Sequence, residues 1–165
     1  MSIGKFYGGI GALIWSPKNK RYLLLRRSST KDYGAGAWEC VTGRVDQGEG
    51  FEEALHREVM EELGVKVEVI ALLGTTHFYR GAPIPENELI GVVFLCTLAD
   101  PDSIRLSHEH SEVRWLNAAE VRETLDANDP TTSWARRLIA RGEVIRKLVP
   151  HEMANYYQTD GVETG

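Results

Sequence analysis

The chain has no excess of positive charge: 19 Lys and Arg stand against 24 Asp and Glu, for a net charge of −5. A general binder of nucleic acid or of membrane surfaces presents a basic face, so neither a nucleic-acid polymer nor a membrane is an expected partner. An anionic small molecule stays open as a substrate, because bound cations can reverse the local sign. Long apolar runs are also missing. The longest, LIGVVFLCTL at residues 89–98, is too short to span a bilayer. The opening MSIGKFYGGIGALIW has no basic segment followed by a long apolar one, so no secretory signal is read there and a cytoplasmic location is the default. Cysteine is scarce. Cys40 and Cys96 lie far apart, each in apolar surroundings, which points to two buried reduced thiols rather than a disulfide or a zinc site. Repeats and low-complexity linkers are absent.

What is present is ordinary globular material, 42% apolar and 26% charged over 165 residues. It reads as one domain over residues 1–150 and a polar tail over 151–165 that is expected to fray. Residues 6–15 and 21–27 read as a strand hairpin around the turn SPKNK. AWECVTG (37–43) reads as one short strand, and 65–79, 89–98 and 113–116 as further strands. A helix over 51–63 is stopped by Gly64. Asn117 and Glu120 form a capping-box pattern for a second helix at 118–125. Trp134, Leu138, Ile139 and Ile145 form the apolar stripe of a third, which Gly142 weakens. Strands early and helices mid-chain and late give an α/β (α+β) sandwich.

The segment GRVDQGEGFEEALHREVMEELGV (43–65) crowds acids into one turn and one helix. Like charges at helical neighbour spacing cost stability. At about 100° per residue, Leu55, Val59 and Leu63 stack on one core-facing stripe. Glu58, Glu61 and Glu62 share the adjoining face, with Glu62 at the edge of the stripe and partly buried. Carboxylates this close beside a core raise one another's pKa unless a cation intervenes, and oxygen ligands at this density suit Mg²⁺ or Mn²⁺. Arg57 can reach back to Glu49 and hold the loop to the helix. Glu52 and Glu53 fit the positive end of the helix dipole and read as ordinary surface acids.

These residues resemble the Nudix box, G-x5-E-x7-R-E-U-x-E-E-x-G-U, with U aliphatic. Gly43, Glu49, Arg57, Glu58, Val59, Glu61, Glu62, Gly64 and Val65 match with both spacers intact. The resemblance implies an α/β/α sandwich with a mixed central sheet over about residues 5–148. It implies hydrolysis of a nucleoside diphosphate linked to another group, with Mg²⁺ or Mn²⁺ as cofactor. Glu58 and Glu62 match the glutamates that most often ligate metal; Glu61 matches one that ligates or orients water. Arg57 and Glu49 match the orienting pair, and the Thr42 carbonyl stands where a metal shell is often completed. Members are often dimers, so a homodimer is an expectation of the resemblance alone.

A further carboxylate from outside the box is expected among Asp100, Asp102, Glu109 and Glu112. LSHEHSEVRWL resembles the E-H-x4-W segment of the dihydroneopterin triphosphate (dATP-type) pyrophosphohydrolases, through Glu109, His110 and Trp115. Trp38, Val41, Thr42 and Gly43 match the W-x-x-V-T-G of that group. Glu109 is therefore the expected extra metal ligand or base. Arg26, Arg27, Trp38 and Tyr79 are expected substrate contacts, with only one of the two arginines able to point into a cleft, since neighbours on a strand face opposite ways. Tyr33, His77 and Phe78 are further stacking candidates. The reading is a pyrophosphohydrolase of nucleoside or nucleoside-like triphosphates. ADP-ribose, dinucleoside polyphosphates and nucleotide sugars are the alternative substrates, and a nucleotide-sensing domain without catalysis is the alternative class. An isopentenyl diphosphate isomerase is disfavoured, because no candidate for that family's extra Cys and Glu machinery is evident.

Overall fold

The computed structural model describes residues 4–30 and 33–165. Seven strands and four helices follow the chain as β1 (Tyr7–Ser16), β2 (Arg21–Arg27), β3 (Trp38–Glu39), β4 (Val41–Arg44), α1 (Phe51–Leu63), β5 (Glu68–Tyr79), β6 (Glu88–Thr97), β7 (His110–Leu116), α2 (Ala118–Thr124), α3 (Pro130–Leu148) and α4 (His151–Asp160). The strands form one mixed sheet in the order β3-β2-β1-β6-β5, with β4 paired to β1 and β7 to β2. β1 and β6 run parallel from Tyr7↔Leu89 to Trp15↔Thr97, and the other pairings are antiparallel.

Alternation along the central strands builds two cores. Ile10, Ala12 and Ile14 of β1, with Leu23 and Leu25 of β2, meet Ala54, Leu55, Val59 and Leu63 of α1. Leu13 and Trp15, with Tyr22 and Leu24, meet Val121, Ala135, Leu138 and Ile139 on the other face. The result is the expected α/β/α sandwich. Cys96 belongs to the first core and Cys40 to the second; both are free and buried, as expected.

Three expectations are corrected. AWECVTG is not one strand. The chain steps from one neighbour to another at Cys40, so Glu39 pairs with Leu25 of β2 and Val41 with Ala12 of β1. Residues 151–160 are not frayed: they form α4, and Tyr157 and Val162 pack against the α1 core. The third concerns Gly142, expected to weaken the helix: α3 runs through it unbroken. Gly142 is buried, and a Cβ there would stand 2.9 Å from Leu13 Cδ2 and 3.4 Å from Tyr22 Cε1. The missing side chain is what lets α3 lie close to the sheet. Among the described residues, no helix is long and apolar enough to cross a membrane.

The loop after β6 places the site. Its backbone reaches the C-terminal end of α1, where Arg105 N donates to Leu63 O at 2.8 Å and Ser107 N to Glu62 O at 2.9 Å. Helix carbonyls that lack an intrahelical partner are thereby satisfied, and the next residues, Glu109 and His110, come to lie beside α1.

A packing test follows from Gly142. Helix propensity alone makes Gly→Ala stabilising by about 1 kcal/mol. Leu13 and Tyr22 are fully buried, and overpacking a closed core costs about 1–3 kcal/mol. Gly142→Ala should therefore lower the thermal midpoint by a few °C rather than raise it.

Candidate active site

A cavity of about 950 Å³ opens between α1, the ends of β5 and β2, and α3. The carboxylates of α1, Glu58, Glu61 and Glu62, form an acidic wall; Glu39, Glu109 and the cations Arg27, Arg44, Arg80, Arg137 and Arg141 also line the cavity, with Tyr33, His77, Tyr79 and Trp134.

The acidic wall is fixed by one guanidinium. Arg57 grips Glu49 with two parallel bonds, Nε to Oε1 at 2.8 Å and Nη2 to Oε2 at 2.9 Å. The same side chain donates to the Arg44 carbonyl at 2.8 Å and to Glu58 Oε1 at 2.9 Å, and lies 3.4 Å from Glu61 Oε2. Loop and helix are thus tied through one planar fork. Its bonds hold the Glu49 carboxyl down at about 2, with the Asp46 amide assisting. Glu58 also accepts from Arg44 N at 3.2 Å and lies over bare backbone at Gly43, where any Cβ would overlap its carboxylate. Burial pushes the Glu58 carboxyl upward against the pull of Arg57. Glu61 is more exposed.

Behind this wall lies a buried network the sequence did not reveal. Glu39 is 3% exposed and accepts from Arg27 Nη1 at 2.7 Å and Thr42 Oγ1 at 3.3 Å. His110, 6% exposed, places Nε2 3.1 Å from Glu39 Oε1. A carboxylate only accepts, so Nε2 is the donor of that bond. The ring's Nδ1 stands 3.9 Å from Glu62 Oε2, and among the described residues neither atom has a hydrogen-bond partner. Glu62, 5% exposed, is pushed well above the usual carboxyl range by burial first and then by the charges of Glu39, Glu58 and Glu109.

Glu58, Glu61, Glu62, Glu109 and Thr42 all line the cavity. Of the other acids outside the box, Asp100 caps a 3₁₀ turn, Asp102 pairs with Lys18 at 3.7 Å, and Glu112 pairs with Arg114 at 2.6 Å; none lines the cavity. Arg27 and Tyr79 line it, but Arg26 and Trp38 do not. Arg26 and Trp38 are partners across β2 and β3, and a strand turns alternate side chains to opposite faces. Arg26 reaches Gly36 O and Glu112, and Trp38 lies under the Arg114 guanidinium. Trp134, read from the sequence as part of a core stripe, packs against the second core and also forms cavity wall over Gly11. Glu39 had a sequence signal: a charged residue flanked by Trp38, Cys40 and Val41 in a buried strand. Arg80, Arg137 and Arg141 had none.

The NUDIX domain family matches residues 5–141. The chain belongs to the Nudix hydrolase family. It is 30% identical over 120 residues to nucleoside triphosphatase NudI of Enterobacter sp. (strain 638), covering 68% of this chain and 84% of that one. Further curated relatives are longer, and the chain spans between 29% and 39% of their length. The MutT protein of Methanosarcina mazei Go1 superposes with a TM-score of 0.69 at 28% identity, covering 88% of this chain and 99% of that one. The E. coli dihydroneopterin triphosphate pyrophosphohydrolase shares the fold, with a TM-score of 0.62 at 23% identity over 86% of this chain and 99% of that one.

The orphaned Glu62 oxygen yields a stability test. A carboxyl whose pKa is raised by folding takes stability away as pH climbs above its unfolded value, and the loss is complete above the folded one. Glu62→Gln removes that loss. With chelator present, the variant should melt about 2–4 °C above wild type at about pH 8. The advantage should vanish as pH falls below about 4.5, the ordinary value. Melting curves across that range decide it.

Proposed function

We propose that this protein is a Mg²⁺- or Mn²⁺-dependent hydrolase of a pyrophosphate bond in a nucleoside triphosphate or a nucleoside-like triphosphate such as dihydroneopterin triphosphate. The observation that carries the reading is one cavity lined by both clustered carboxylates and five arginines. A polyphosphate has to be met by cations on every side, and here the acids supply places for metal ions while the arginines supply the rest.

The donor set fits a hard divalent ion. It is all oxygen (Glu58, Glu61, Glu62, Glu109 and the Thr42 carbonyl), and Glu62 carries a buried oxygen with nothing bonded to it. Among the described residues, no three such side chains already converge into a cage; carboxylates of like charge stay apart unless a cation lies between them. The ions, when held there, would neutralise the polyphosphate and lower the pKa of a water.

The chain's own groups do the remaining work. Arg57 fixes the rotamer of Glu58 and the path of the loop. Arg27, itself held by Glu39, projects a cation toward the phosphates. Arg80 is half-buried, and its charge is opposed by burial and then by Arg44 and Arg27, so an incoming anion would relieve that repulsion. Tyr79, Trp134 and His77 offer ring faces for a base. A carboxylate of the box or Glu109 accepts the proton of the attacking water.

A second substrate reading rests on Arg137 and Arg141, which bring positive charge to the α3 side of the cavity. That charge favours ligands with a second polar end: ADP-ribose, a dinucleoside polyphosphate or a nucleotide sugar. Retention of every box acid speaks against a purely nucleotide-sensing domain.

A panel of these compounds with Mg²⁺, products resolved by chromatography, separates the readings. Glu62→Gln should lower kcat by roughly 10²–10⁴-fold on whichever compound is cleaved; equal rates for variant and wild type, or no turnover of any compound, would refute the proposal. With a metal-bound water and a carboxylate base, activity should rise from about pH 6 toward about pH 9. Saturating Mn²⁺ should raise the melting temperature by mass action, and less so in Glu62→Gln.

A further inference from the structure

Helix α1 begins without a cap of its own. Its N-cap is Gly50, which has no side chain to accept from the first turn. Glu53 reaches back to Gly50 N at 3.1 Å, but that leaves the first amides of the turn. They are taken by a residue more than a hundred positions away. Glu163 accepts from Phe51 N through Oε1 at 2.9 Å and from Glu52 N through Oε2 at 3.0 Å. The bond is returned, because Glu52 Oε2 accepts from Val162 N at 2.8 Å. Tyr157 and Val162 pack against the same core as Leu55, Val59 and Leu63 of α1, so the strap that carries Glu163 is anchored there.

The backbone does not explain why position 50 is glycine. Its φ of −81° and ψ of 168° are extended values that Ser, Asp or Asn adopt freely, and those residues are the preferred caps. Space explains it. A Cβ on Gly50 would overlap the Glu163 carboxylate. The two positions are alternatives: a local cap at 50, or a distant carboxylate at 163.

We propose that Glu163 is a positioning residue for α1, a helix cap delivered by the C-terminal strap, for which Gly50 keeps the place open. The strap lies beyond the family match, which ends at residue 141. A carboxylate on the first turn satisfies its amides and the positive end of the dipole. It thereby fixes the start of the helix whose later turns carry Glu58, Glu61 and Glu62. The inference rests on reading α1 as the metal-holding helix, and its test is arranged so that the two can fail separately.

The test compares wild type with Glu163→Ala, Gly50→Ser and the double variant, by melting in chelator and by Mn²⁺ affinity from the electron paramagnetic resonance of the free ion. Glu163→Ala should melt about 2–4 °C lower, as loss of one cap implies, and bind Mn²⁺ up to about fivefold more weakly, the most that one cap can transmit. Gly50→Ser alone should also melt lower, since its side chain and Glu163 compete for one place. The double variant should return to within about 1 °C of wild type and recover Mn²⁺ affinity, because the introduced hydroxyl can then cap the helix locally. Additive losses in the double variant, or no effect of Glu163→Ala, overturn the proposal. A melting cycle as expected with unchanged Mn²⁺ affinity overturns the positioning role and leaves a stabilising cap. If wild type binds no Mn²⁺, the metal reading of α1 falls and the positioning role with it, while the melting cycle still decides the cap.

Discussion

The Arg57 guanidinium is the interaction on which the site depends. It spends its fork on Glu49, the Arg44 carbonyl and Glu58 together, so the loop before α1 and the carboxylate on α1 cannot move independently. Arginine suits this position because its donors are planar and fixed relative to one another. A lysine would supply charge without that geometry. The low pKa of Glu49 is the electrostatic mark of the same contact. With loop and helix joined, Gly43 can bring its bare backbone against Glu58, and the acidic wall acquires a shape.

Behind that wall the charge balance is different. Arg27, Glu39, His110 and Glu62 form a buried chain in which each link satisfies the next until the last. Arg27 and His110 share the Glu39 carboxylate, whereas His110 Nδ1 and Glu62 Oε2 face one another unbonded. A buried acceptor without a donor costs on the order of 1–3 kcal/mol. Glu62, which carries part of this cost, lines the cavity. The stability of the fold is secured elsewhere, in the two apolar layers on either face of the sheet.

The sequence disclosed those parts of the molecule whose determinants are local. Helix α1 is legible because its apolar stripe, its terminal glycine and its acidic ridge all lie within 23 residues. Residues 21–27 and 118–125 were readable for the same reason. What stayed hidden depends on residues far apart in the chain. Cys40 gives no local hint that the strand there changes partner, which requires knowing that β2 and β1 both lie within reach. Glu39 becomes a site residue only because Leu25 is its neighbour and His110 arrives from another strand. Arg26 and Arg27 were separable by alternation, but which of them faces the cavity is set by where α1 and α3 sit. Trp134 was placed correctly by helical spacing on the core-facing stripe, but that spacing does not say that one edge of the stripe also lines a cavity.

Glycine marks the same division. Gly64 is readable as a helix stop because left-handed backbone favours glycine in any context. Gly142 and Gly50 are glycines for the sake of neighbours. One makes room for Leu13 and Tyr22, the other for a carboxylate from the end of the chain. Propensity alone reads Gly142 as a weak point in α3. In the folded protein both glycines leave room for a specific neighbour. A helix that must hold several like charges on one face gains from being pinned at its start, its middle and its end. Glu163 meets the first turn, Arg57 the middle, and the loop amides of Arg105 and Ser107 the last carbonyls. Only the middle contact is encoded within the helix and its adjoining loop. The other two come from distant parts of the chain, so the motif specifies the chemistry of α1 while the rest of the fold specifies where that chemistry is held.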